Sequence, residues 1–283
     1  MERAREGVDS LFTNIVYRLD CAEDSTPRVK WKSFWISAGL LGFTFLLSIV
    51  IRHITSGEVL WVETNIHSLI ESYCAIMSSF IAYIIYREYR SSGRRSNLYL
   101  FLGFFSIGAF DMFHAYSNHS LILFVWFHSL SAFSGAAFFL WSAIAVKRNT
   151  RDPQWLRYVF VLFGATITVG TGVALSKLPP PLPYPSVMID TFSHIPVDVR
   201  IMGGFSLSTL MINSISAYCF LSAGVIFLRH FNHTGDLLFH IFSISAFLLF
   251  ESEFLFVFSR LWDPTWWFWH FIKLLIFLGL LIG

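Results

Sequence analysis

The sequence predicts an all-α fold: a polytopic transmembrane helical bundle of about eight helices with both termini cytoplasmic. Three observations carry that reading. Hydrophobic residues make up 55% of the 283-residue chain, charged residues 13%, and the mean hydropathy is +0.61, far more apolar than a soluble domain. Apolar runs of about twenty residues, long enough to cross a bilayer, recur along the whole length. The basic residues are distributed over the connections as the positive-inside rule requires.

Residues 1–33 form a polar cytoplasmic leader in which Val8, Leu11, Phe12, Ile15, Val16 and Leu19 fall at helical spacing. The pattern fits an amphipathic helix lying on the membrane surface, with Arg18 and Lys30 available to lipid headgroups, or a short helix packed on nothing in particular. A transmembrane domain is expected over 34–283, with helices at 34–52, 64–87, 97–116, 120–146, 156–175, 203–228, 236–258 and 266–283. The first apolar run begins near Phe34, so no cleavable signal peptide is expected. Cys21, Cys74 and Cys219 show no CxxC spacing and give no disulfide framework. No phosphate loop, Ser-His-Asp motif or nucleic-acid module is present, so nucleic acid is not an expected partner.

Orientation follows from charge. The leader, the second, fourth and sixth connections carry fifteen basic residues, among them Arg87, Arg90, Arg94, Arg95 and Arg229; the opposite side carries four, Arg52, Lys177, Arg200 and Arg260. That asymmetry places both termini in the cytoplasm. The outer connection near 176–202 holds a proline-dense run, Pro179 to Pro185, that excludes helix and serves either as a connector or as a lid. The last helix is expected to reach the cytoplasm near Gly283, which suggests a further domain beyond it.

Within these apolar spans lie ionisable residues that are costly at membrane depth. His67 and Glu71 share one helix face, and Cys74 and Ser78 continue the same stripe. Asp111 and His114 stand at i, i+3, the spacing that dimetal helical bundles project inward. His128, Glu253 and His270 complete a set of seven. On the predicted topology, all seven fall within roughly 12 Å of the outer hydrocarbon boundary, counting 1.5 Å per residue. Imidazoles and carboxylates suit zinc, iron, manganese or copper. The expected metal ligands are therefore His67, Glu71, Asp111, His114, His128, Glu253 and His270, holding one or two transition-metal ions, with Lys273, Ser252 and Cys74 in support. Two other readings stay open: a hydrogen-bonded polar cluster that glues helices together, and haem, for which no facing histidine pair stands out. His240 is expected to pack between helices, Glu251 to point to a different face from Glu253, and Trp61, Trp126, Trp266 and Trp267 to form an outer interfacial belt.

The stretches IHSLIESYCAIMSSFIAYIIY, LGFFSIGAFDMFHAYS and FESEFLFVFSRLWDPTWWFWHFIKLLIFL resemble a family of bacterial membrane-associated sensor domains, the MASE group of the third type. That family carries a His-x-x-x-Glu helix, an Asp-x-x-His helix end, a late Ser-Glu element and a final Gly-His-x-x-Lys element. Here they correspond to His67 and Glu71, Asp111 and His114, Ser252 and Glu253, and His270 and Lys273. The chain departs from it in three places. Phe268-Trp269-His270 replaces Gly-His, His128 stands near a family arginine, and the proline-rich loop lacks a glycine-threonine stretch. The resemblance implies a multi-pass protein of the bacterial inner membrane. It implies an input domain for a cytoplasmic histidine kinase or diguanylate cyclase, and a homodimer, because such outputs work as dimers.

Two functions follow. The first is a sensor that binds a metal, or a small ligand through the metal, from the outer side and signals along the last helix. The second is an intramembrane metal-dependent hydrolase or oxidase, with Glu71 or Asp111 moving protons. Transport fits less well, since no charged relay crosses both leaflets and no inverted repeat is evident.

Overall fold

A computed structural model describes residues 27–55, 61–117, 121–146, 207–259 and 261–282. Among them are seven α-helices: α1 (Pro27–Ile54), α2 (Thr64–Ser92), α3 (Arg95–Tyr116), α4 (Leu121–Val146), α5 (Leu207–Thr234), α6 (Leu237–Phe258) and α7 (Pro264–Ile282). All seven are long and apolar enough to cross a membrane. The count is seven rather than eight because the helix expected at 156–175 lies outside the described residues. The amphipathic leader and the proline-rich loop lie outside them as well.

Helix boundaries follow local chemistry. α7 starts at an Asp-Pro step, where the Asp263 carboxylate accepts the Trp266 backbone N–H at 2.6 Å and Pro264 occupies the first helical position. Asp236 caps α6 in the same way, accepting from the Leu238 N–H at 3.0 Å. α2 ends on Gly93, whose φ of 67° returns the chain in a left-handed cap. α1 begins earlier than its apolar run suggests, at Pro27.

Helices α2 to α7 pack in chain order, and α7 closes back on α2 to complete a ring; α1 leans on the outside against α6 and α7. Phe104, Phe139, Phe220, Phe227 and Phe277 fill the interior with almost no exposure. Large apolar side chains such as Trp35, Phe43, Leu46, Leu69, Phe80 and Leu275 face outward, as contact with lipid requires. α1 and α6 are joined by polar bridges that run in one direction along both helices. Ser37 meets His240 at 3.0 Å, Thr44 donates to Glu251, and Arg52 reaches the Phe258 carbonyl at 3.3 Å. His240 is thus a packing residue, and Glu251 faces α1.

A close contact between two helix backbones lies just below the ionisable groups. A Cβ on Gly108 of α3 would come within 2.9 Å of the Ala75 carbonyl and 2.6 Å of Ser79 Oγ on α2. Only glycine lets the two backbones approach this closely, so it sets how α2 presents His67 and Glu71 to α3.

Candidate metal centre

The site lies at one end of the bundle, where α2, α4 and α7 begin and α3 and α6 end. Hydrogen bonds to backbone carbonyls knit that end together. The Trp61 N–H donates to the Trp262 carbonyl at 2.9 Å, the Trp267 indole to the Trp61 carbonyl at 2.8 Å, and Ser68 to the Ala115 carbonyl at 2.8 Å.

Four side chains from three helices converge there. His67 and Glu71 of α2, His114 of α3 and His270 of α7 each offer a ligand atom within 4.8 Å of the others. None is more than 1% exposed. Two imidazoles are oriented by main-chain carbonyls: His114 Nδ1 lies 2.7 Å from the Phe124 carbonyl, and His270 Nδ1 lies 2.8 Å from the Trp266 carbonyl. A carbonyl can only accept, so each Nδ1 carries the proton and each neutral ring keeps a bare lone pair on Nε2. Fixing the ring through its far nitrogen in this way is typical of metal-ligating histidines.

The lone pairs then outnumber the donors. His270 Nε2 stands 3.4 Å from Glu71 Oε1, two acceptors facing each other. His114 Nε2 and Glu71 Oε1 have no hydrogen-bond partner among the described residues. His67 Nε2 lies 3.0 Å from His270 Nε2, and a proton there would satisfy one of these acceptors only. Acceptors gathered without donors in a buried space repel unless a cation sits among them. For comparison, tetrahedral ligands about 2.0–2.1 Å from zinc are about 3.3 Å apart. A buried His/Glu group of this composition could hold a metal ion.

The remaining expected residues take other places. Asp111 is drawn to Lys273: Lys273 Nζ bridges Glu71 Oε2 at 2.9 Å and Asp111 Oδ2 at 2.8 Å. Glu71 therefore works with both oxygens, one on the ammonium and one toward the imidazoles. His128 and Glu253 pair with each other, Nε2 to Oε2 at 3.6 Å. The pair borders the four-residue group: the His128 ring lies 5.5 Å from that of His114, and the Trp269 ring packs on both sides, 4.9 Å from His128 and 3.6 Å from His270. Asp111, His128 and Glu253 thus lie beside the group rather than inside it. Ser252 is buried next to Glu253, and Cys74 is a fully buried thiol in the apolar core one turn below Glu71.

Aromatic walls enclose the site, and they include Trp266, which is buried rather than part of an interfacial belt. Trp266 lies 4.0 Å from His270 and 4.9 Å from His67, and Phe124 lies 4.1 Å from His114. Trp262, almost fully buried, closes over His67 at 5.7 Å. Its φ of 69° is left-handed, a conformation that costs a bulky L-residue roughly 1–2 kcal/mol. The α6–α7 turn accepts that strain to place the indole and its carbonyl at the site. No sequence signal marks Trp262 for this role, nor the carbonyls of Phe124 and Trp266.

Comparison with protein-family models, with curated proteins and with solved structures finds no match.

Proposed function

We propose that this chain is a membrane-embedded sensory input domain that binds one transition-metal ion through His67, Glu71, His114 and His270 and relays its occupancy along α7. The observation that carries the proposal is the convergence of buried acceptors, two of them on rings fixed by backbone carbonyls, with a single proton position among them. Three imidazoles and one carboxylate suit zinc, iron or copper. The far end of the bundle carries Arg87, Arg90, Arg94, Arg95 and Arg229, so the positive-inside rule turns the metal end outward.

Enclosure favours a sensor over an enzyme. A catalytic metal keeps a position open to water and substrate, whereas these four groups are closed over by Trp262, Trp266 and Phe124. The relay runs through Lys273, one turn beyond His270 on α7. A cation at Glu71 Oε1 repels the ammonium on Oε2 and competes for the same carboxylate charge. Lys273 then rests on Asp111, and α7 moves against α2. That is the differential contact a two-state switch needs. As the resemblance to membrane-associated sensor domains implies, the receiver would be a cytoplasmic kinase or cyclase.

Nitroxide labels on Ser91→Cys and Ile282→Cys, with Cys21 and Cys219 changed to Ser, test the relay. Both positions are exposed at the end away from the site. Adding zinc, iron or copper to chelator-stripped protein is expected to shift the distance between the labels by about 1–2 Å, the usual scale of a helix shift. Identical distance distributions with each metal would contradict the relay.

A further inference from the structure

At the end of the bundle opposite the metal centre, four helix ends surround a cavity of about 290 Å³. Arg94 and Arg95 line it from the α2–α3 turn, Val146 from the end of α4, His230 from the end of α5, and Asp236 and Phe239 from the start of α6. We infer that this cavity binds the phosphate headgroup of an anionic phospholipid.

Helix energetics supply the first argument. A helix start carries partial positive charge and favours acidic residues, yet α3 opens on consecutive arginines with no acidic residue in its first turn. Arg94, in the N-cap position, carries donors only and cannot accept from the first backbone N–H groups of α3. The neighbouring α6 behaves differently: its own Asp236 caps it, which commits one oxygen of the cavity's carboxylate to the Leu238 N–H. A phosphate in the cavity would lie beside Arg94 and Arg95 and meet the start of α3.

Depth and shape supply the second. The cavity sits where apolar spans give way to polar turns, the level of lipid phosphates, on the side richer in arginine. Its volume lies near the lower edge of small-ligand sites, about 300 Å³, which holds a headgroup but not acyl chains. The chains have apolar surface to follow, since Ile144, Leu237 and Leu238 are exposed on the same helix ends. Ala145, Val146 and Phe239 give the cavity an apolar lining alongside its cations.

The test uses the whole chain in vesicles of equal parts phosphatidylglycerol and phosphatidylcholine, extracted gently and weighed by native mass spectrometry. Wild-type protein is expected to retain phosphatidylglycerol at least about fivefold over phosphatidylcholine, and an Arg94→Gln/Arg95→Gln variant to lose that preference. An Arg87→Gln/Arg90→Gln variant removes two positive charges from the same end but outside the cavity, and is expected to keep it. Far-ultraviolet circular dichroism confirms that each variant is folded. Equal loss in both variants would mean diffuse attraction to the surface and would overturn the inference. So would retention undiminished in the Arg94/Arg95 variant, or displacement of the lipid by millimolar inorganic phosphate, which would mark a soluble anion site.

Discussion

Purified His270→Ala protein is expected to retain less than about one tenth of the metal bound by wild type, and His67→Ala and His114→Ala are expected to match it. Each replacement removes one of the converging donors and leaves the others with an incomplete shell. Losing a supporting partner of a metal ligand weakens binding about 10–100-fold, and losing the ligand itself costs more. His128→Ala is the informative contrast. His128 borders His114 but pairs with Glu253 and offers no atom to the four-residue group, so that variant is expected to keep stoichiometric metal by elemental analysis. Metal loss in His128→Ala equal to that in His270→Ala would return His128 to the ligand set. Full metal content in all four variants would place the ion elsewhere.

The second large effect belongs to Lys273. Its ammonium lies between two fully buried carboxylates, Glu71 and Asp111, at 2.9 and 2.8 Å. Lys273→Met leaves both without a countercharge, and breaking a buried pair by removing one partner costs about 3–5 kcal/mol. The thermal midpoint of the metal-free protein is expected to fall by about 10 °C. Adding Asp111→Asn removes one orphaned charge and is expected to restore about half of that loss. If Lys273→Met melts with wild type, or if the double variant is no better than the single, the ammonium does not carry the charge balance of the site.

The sequence showed the depth of these residues but not their direction. A helix rises 1.5 Å per residue, so position in an apolar run gives a level in the bilayer, and the seven expected groups do gather at one end of the bundle. Direction around the helix axis is harder to read, because in a bundle apolar on every side no polar face marks the interior. The i, i+4 spacing of His67 and Glu71 kept them together, and both reach the group. The i, i+3 spacing of Asp111 and His114 allowed them to diverge slightly, His114 to the imidazoles and Asp111 to Lys273. His128 and Glu253 share the level of the site but turn to each other, with the His128 ring bordering His114.

Fold class and the approximate helix spans were legible because hydropathy is local. The exact ends were not: Gly93 closes α2 five residues beyond its apolar run, and the Asp263–Pro264 step starts α7 two residues before its own. The enclosure was not legible. A left-handed Trp262, the carbonyls that fix two rings and the close approach at Gly108 all depend on which helices are neighbours, and one chain read alone does not encode that visibly.

X-ray absorption at the edge of whichever metal co-purifies with the wild-type chain examines the coordination itself. The account predicts three nitrogen donors from imidazole and one oxygen donor at about 2.0–2.2 Å, with no sulfur from Cys74. A thiolate in the shell, an all-oxygen hydrated ion or the absence of any stoichiometric metal would contradict it.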